Sequence, residues 1–251
     1  MLTDQERTRY ARQILLFGEE AQERLKDAEV FIAGAGGLGC PVAVYLAVAG
    51  IGTITLVDRD EIELSNLNRQ ILHWDRDIGR TKIRSAGEKL TEINPDIRVM
   101  AIEADIGEKN ADQLVGGADV IVDALDNYPA RFLLNEVAQR KKIPLVHAAI
   151  RGLHGQATTI LPGKTPCLAC IFPCAPPEEV FPALGATAAL MASIQATEVI
   201  KYLTGTGQLL DGRLLLWDGR SCRMEEVSVA PNPKCPVCSG NRAADPERKK
   251  K

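Results

Sequence analysis

One short stretch, Gly34-Ala35-Gly36-Gly37-Leu38-Gly39, constrains this chain more than any other. It fits G-x-G-x-x-G and follows an apolar run, Glu29-Val30-Phe31-Ile32-Ala33, that reads as a buried strand. A helix is predicted from Leu38 to about Ala49. In that context the glycines permit a tight turn and let backbone N–H groups approach a phosphate, while the helix N-terminus adds partial positive charge. Nineteen residues beyond Gly39, Asp58 closes the next apolar run, Thr53 to Val57. A carboxylate there can bond ribose hydroxyls. Gly36, Gly37 and Asp58 are therefore nucleotide-site candidates, and the motif alone fits NAD as well as ATP.

The rest of the front half repeats the alternation. A helix over 82–93 stops at Asn94-Pro95, since proline removes the donor a continuing helix needs. Strands are predicted at 97–102, 120–124 and 143–147, separated by helices at 108–115 and 129–141. Strands alternating with helices give an α/β, Rossmann-like, doubly wound and mostly parallel sheet. After Ala148 the extended runs 156–160 and 213–217 suggest an antiparallel layout, with a helix over 186–203 ended by Gly205. The expected organisation is a single unit over 1–240. Residues 1–148 form its nucleotide-binding half and 149–240 a crossover and cysteine-bearing half. The charged tail 241–251 lacks an apolar face and is expected to be disordered.

Composition excludes several classes. The 30 Lys and Arg against 33 Asp and Glu leave a net charge of −3, without the basic excess of a protein that neutralises nucleic-acid phosphates. No apolar run reaches the roughly 18 residues that span a bilayer, and Met1 to Tyr10 has no apolar signal core. A cytoplasmic location follows, where cysteines serve as thiols or metal ligands.

The segment after Asp58 separates the nucleotide classes. Ser65-Asn66-Leu67-Asn68-Arg69-Gln70 packs several donors and a fixed cation beside the expected phosphate position, and Lys82 opens the next helix. A dehydrogenase needs nothing of the kind there. Phosphoryl or nucleotidyl transfer does, because charge develops on phosphorus oxygens. Asp126-Asn127 follow the strand 120–124 at the carboxyl edge of the sheet, where open α/β sheets bind ligands. Asp126 is thus placed for Mg²⁺, with no carboxylate except Asp58 expected nearby. Without that context, Asp-Asn after a strand reads as a turn or helix cap.

These residues closely resemble the MoeB/ThiF/HesA family, relatives of the ubiquitin-activating enzymes. The opening Arg9-Tyr10-Ala11-Arg12-Gln13 is also similar to the family's N-terminal segment, and the likeness spans about residues 4 to 240. The resemblance implies an adenylyltransferase that uses ATP to adenylate the C-terminal glycine of a ubiquitin-like sulfur-carrier protein ending in Gly-Gly. Such proteins serve molybdopterin, thiamine or related sulfur pathways, and pyrophosphate is released. It implies Asp58 on the ribose, Asn66, Arg69, Gln70 and Lys82 on the phosphates, and Asp126 on magnesium. It also implies a homodimer in which Arg12 reaches the neighbouring subunit's site. The attacking carboxylate is already ionised at pH 7, so no general base is required. His73, His147 and His154 read as structural or surface residues.

Cys167-x-x-Cys170 and Cys235-x-x-Cys238 are two knuckles 64 residues apart. In a reducing compartment they suggest a closed Cys₄ Zn²⁺ site, which the resembled family also carries. Cys40 reads as core packing. Cys174 stays open: some family members use a loop cysteine for a covalent link to the carrier, but Phe181 occupies the position where that cysteine aligns. Two rivals remain at this point, an NAD(P)-dependent oxidoreductase with a structural zinc and a non-catalytic zinc-bearing scaffold.

Overall fold

The computed structural model describes residues 1–173 and 181–241. Cys174 and the tail 242–251 lie outside the described residues.

Three short helices precede the sheet: α1 (Asp4–Arg9), α2 (Ala11–Phe17) and α3 (Glu19–Asp27). None was predicted: α1 and α3 are short and polar, and α2 is seven residues long with none of them buried. The first is fixed by a capping box, with Thr3 accepting from the Glu6 N–H and Glu6 from that of Thr3. There follow β1 (Glu29–Ala33), α4 (Gly39–Ala49), β2 (Thr53–Asp58), α5 (Lys82–Ile93) and β3 (Arg98–Glu103). Next come α6 (Ala111–Val115), β4 (Val120–Asp123), α7 (Tyr128–Lys141) and β5 (Leu145–Arg151). The chain continues through β6 (His154–Ile160), α8 (Leu168–Ile171), α9 (Gly185–Thr204), β7 (Arg213–Asp218) and β8 (Arg223–Ser228).

All eight strands form one sheet in the order β3-β2-β1-β4-β5-β6-β7-β8. The first five are parallel, and β6, β7 and β8 are added antiparallel. The rear strands therefore have the expected direction but extend the front sheet instead of building a separate layout. Two boundaries also move. The fifth strand begins at Leu145, after Pro144, and α6 starts only at Ala111, because Gly107–Asn110 closes as a turn. The eighth strand went unread in sequence: all six of its residues are exposed, so it has no apolar period.

Strand alternation divides the core in two. Val30 and Ile32 face α4, α5 and α9, whereas Phe31 and Ala33 face α6, α7 and α8. The second cluster includes Cys167, Cys235 and Cys238. Among the described residues, no helix is long and apolar enough to cross a membrane.

Candidate active site

The glycine turn joins β1 to α4, and its glycines do different work. Gly34 has φ +98°, and a Cβ there would lie 2.8 Å from the Ala124 carbonyl oxygen. At Gly39 a Cβ would come within 1.8 Å of the Gly34 carbonyl oxygen. These two therefore serve the turn and the close helix–strand packing. Gly36 and Gly37, together with Gly34, line an open cleft of about 1160 Å³ at the carboxyl edge of the parallel strands.

That cleft unites much of the expected set. Gly36, Gly37, Asp58, Arg69, Gln70, Lys82, Asp126 and Asn127 all line it. The Asp58 carboxylate accepts from the Ala35 N–H at 2.7 Å and from the Asp60 N–H at 2.9 Å. Lys82, at the start of α5 and only 6% exposed, donates to Asp60 Oδ2 at 2.7 Å and lies 4.0 Å from Asp58 Oδ1. Asp126 is exposed in the cleft and makes no hydrogen bond or ion pair with any described residue. Asn127 caps α7, its side chain accepting from the Ala130 N–H at 3.0 Å.

The tetrad before Arg69 is placed differently. Ser65, Asn66, Leu67 and Asn68 do not line the cleft. They build the turn that presents Arg69 and Gln70. Asn66 Oδ1 accepts from the Glu63 N–H at 3.1 Å, and the Ser65 hydroxyl donates to Glu63 at 3.1 Å. Arg69 Nη1 is steered by the Ser65 carbonyl at 2.9 Å and the Asn68 side chain at 3.0 Å. Gln70 is 4% exposed, and its Oε1 has no hydrogen-bond partner among the described residues. Arg12 is exposed on α2 and does not line its own chain's cleft. The expectation that Asp58 would be the sole carboxylate near Asp126 does not hold. Asp60, Asp105, Asp218 and Glu225 line the same cleft.

Three buried polar residues beneath the cleft escaped the sequence reading as a group. Asp123 Oδ2 and His147 Nδ1 are 2.6 Å apart, and Arg131 Nε lies 3.6 Å from Asp123 Oδ1. Burial alone would raise the Asp123 carboxyl, but Arg131 and the His147 hydrogen bond outweigh it and hold it below the usual carboxylate range. Burial pushes His147 down, so a neutral ring donates Nδ1–H to the carboxylate. Arg131 lines the cleft and is tied to the Leu125 carbonyl, which braces the loop carrying Asp126. Phe181, where a family cysteine would align, lines the cleft beneath Arg151, whose guanidinium carbon is 5.4 Å from the ring centre.

On the far side of the sheet the four cysteines converge. The sulfurs of Cys167, Cys170, Cys235 and Cys238 all lie within 4.8 Å of one another. The Cys167–Cys235 and Cys170–Cys238 separations are 3.6 and 3.4 Å. Ligands about 2.3 Å from a tetrahedral zinc lie about 3.8 Å apart, so the set fits that ion with no open position.

Comparison with known proteins agrees with this geometry. Residues 10–237 match the ThiF family. The chain is 44% identical over 238 residues to the SAMP-activating enzyme E1 of Haloferax volcanii, covering 92% of this chain and 88% of that one. It is 40% identical over 249 residues to the sulfur carrier protein adenylyltransferase of Thermus thermophilus, covering 94% and 92%. Among solved structures, E. coli MccB with ATP superposes with a TM-score of 0.82 at 28% identity, over 92% of this chain and 73% of MccB. With a family match over most of its length, this chain belongs to the ThiF family.

Proposed function

We propose that the protein is an ATP-dependent adenylyltransferase that activates the C-terminal glycine carboxylate of a ubiquitin-like sulfur-carrier protein ending in Gly-Gly. One observation carries the reading: Arg69, Gln70 and Lys82 meet the glycine turn and Asp58 in a single cleft. An oxidoreductase would leave those donors without a task. A scaffold would have no reason to bury Lys82 there. The names of the Haloferax and Thermus relatives point the same way.

In this reading Asp58 holds the ribose and the N–H groups of the glycine turn face the phosphates. Arg69 and Lys82 place positive charge where negative charge builds up on the phosphate oxygens as the carrier carboxylate attacks the α-phosphorus and pyrophosphate leaves. Lys82 must first exchange Asp60 for phosphate oxygen. Ser65, Asn66, Leu67 and Asn68 act by shaping the turn, and Asn127 by capping α7 beside Asp126. Asp126, a cleft carboxylate without a partner among the described residues, is the residue to hold Mg²⁺, which would neutralise phosphate charge. The four cysteines hold structural Zn²⁺.

We place the whole of 1–240 in one adenylation domain, since one sheet runs through both halves, and its thiol-rich metal site suits the cytoplasm. We also propose a homodimer in which Arg12 enters the partner's site. Leu15 and Leu16, on the same helix, are 81% and 76% exposed, an apolar face that a second copy would cover. ATP–pyrophosphate exchange against a panel of Gly-Gly-ended carriers tests the function. Exchange with at least one carrier is expected; none with any, together with stronger thermal stabilisation by NADH than by ATP, would overturn it.

A further inference from the structure

Buried polar groups that the proposed reaction leaves unused form a line behind the glycine turn. It begins at Asp77, whose carboxylate pairs with Lys89. Lys89 Nζ donates to Ser85 Oγ at 2.7 Å. Ser85 Oγ lies 3.1 Å from His73 Nδ1, and His73 Nε2 lies 3.0 Å from the Ala35 carbonyl oxygen. All four side chains are buried.

The proton positions follow from what each group can donate. An ammonium only donates, so the Ser85 hydroxyl keeps its own proton, with His73 Nδ1 at 3.1 Å as the nearer acceptor and the Leu72 carbonyl at 3.5 Å as the other. A carbonyl only accepts, so Nε2 carries the ring proton. That is one neutral tautomer, in keeping with burial, which pushes His73 below the usual histidine range. Every bond therefore runs in one direction, from Lys89 to the Ala35 oxygen.

The end of the line matters because of peptide geometry. The Ala35 C=O and the Gly36 N–H are opposite edges of one planar trans peptide, so fixing one aims the other. With the oxygen drawn toward the core, the Gly36 N–H points the opposite way. Gly36 lines the cleft, and its N–H donates to no described residue. Among the described residues, the one other side chain on that oxygen is the Cys40 thiol, a weak donor 3.1 Å away. Glycine at position 36 makes rotation of the peptide easy.

We infer that His73, braced by Ser85 and Lys89, is a positioning residue that locks the Ala35–Gly36 peptide with its N–H aimed at a phosphate of the bound nucleotide. The inference rests on the nucleotide reading of the cleft. The preceding peptide is anchored separately, because the Ala35 N–H donates to Asp58 Oδ2 at 2.7 Å. His73 therefore governs the phosphate end of the site and leaves the ribose end alone.

Two variants test this by calorimetric titration of ATP and of adenosine, after circular dichroism establishes folding. In His73→Asn the amide stands near the place of Nδ1, so it can meet Ser85 but falls short of Ala35. In His73→Gln the amide reaches the place of Nε2 and restores the donor. His73→Asn should weaken ATP about tenfold, the scale of one hydrogen bond to a charged group, with adenosine unchanged. His73→Gln should leave both ligands within about twofold of wild type. Unchanged ATP binding in His73→Asn, or equal loss of ATP and adenosine, would refute the role. If the asparagine variant does not fold, the glutamine variant still decides: loss of its ATP preference over adenosine refutes the role, and retention supports it. A wild-type protein that binds neither ligand would instead overturn the nucleotide reading, and this inference with it.

Discussion

Replacing Asp77 with asparagine should cost the protein about 2.5 kcal/mol at neutral pH, and the loss should shrink in acid. Asp77 is 1% exposed and pairs with Lys89, itself 8% exposed. Arg80 adds a second cation at 2.7 Å, and the Trp74 N–H donates at 3.0 Å. Burial alone would raise this carboxyl, but the Lys89 bond, the Trp74 N–H and Arg80 outweigh it and lower it from 3.8 to about 2. That depression corresponds to about 2.5 kcal/mol of stability at pH 7. A lowered folded-state value means the stability is fully present above the unfolded value of 3.8 and is lost as pH falls toward 2. Asp77→Asn keeps the shape and the acceptor for Trp74 but removes the charge. Urea unfolding of both proteins at pH 7, 5 and 3 measures the difference. A gap near 2.5 kcal/mol should hold at pH 7 and 5 and fall to about half at pH 3. Zinc loss in acid is common to both proteins and cancels in the comparison. A gap below about 0.5 kcal/mol at pH 7, or one independent of pH, would refute the electrostatic account and leave packing as the cause.

Asp126→Ala should abolish pyrophosphate exchange while the unfolding midpoint stays within about 2 °C, because the carboxylate is exposed and makes no hydrogen bond or ion pair with a described residue; wild-type exchange would remove its proposed metal role. Metal analysis should find one zinc per chain, and chelation should lower the unfolding temperature, since a closed thiolate site contributes folding energy; four titratable thiols in protein never exposed to chelator would contradict this. Mixing Arg12→Ala with Asp126→Ala subunits should recover about a quarter of wild-type activity if Arg12 acts across a two-fold dimer; no recovery despite proven subunit exchange would place Arg12 elsewhere. Cys174 lies outside the described residues, and Cys174→Ser should exchange normally, with no enzyme–carrier adduct in wild type by non-reducing mass spectrometry. An adduct lost in the serine variant would make Cys174 a covalent participant.

How much of this could be read from the chain depended on the kind of signal. The strands β1 and β4 carry continuous apolar runs, as a parallel strand buried on both faces requires, and β2 alternates threonine with buried Ile54 and Leu56. The glycine turn was legible because two of its positions have no room for a Cβ. The eighth strand was not, since sequence periodicity reports burial and this strand has none. Site residues divided along a similar line. Residue type located Asp58, Arg69, Gln70 and Lys82 in the cleft, but could not tell that Ser65 to Asn68 are spent on the turn's own hydrogen bonds. Asp123, Arg131 and His147 sit within apolar segments and were passed over as parts of strands and a helix. A charged residue inside such a run was the available signal, because it is seldom fully buried unless paired. His73 illustrates the limit most sharply. Nothing in its sequence neighbourhood says that it faces a carbonyl 38 residues earlier.

The strand order carries a consequence for how the chain is made. Every neighbouring pair in the sheet is also adjacent in sequence except one, for β1 must pair with β4. About 90 residues separate the end of β1 from the start of β4. During synthesis at about 5 to 20 residues per second, Val30-Phe31-Ile32 would therefore wait roughly 5 to 20 s with one backbone edge unpaired. An apolar strand with an open edge is a template for pairing with another chain. The nascent protein is thus most exposed to misassembly before Val120–Asp123 leaves the ribosome, and β4 is the strand whose arrival closes that window.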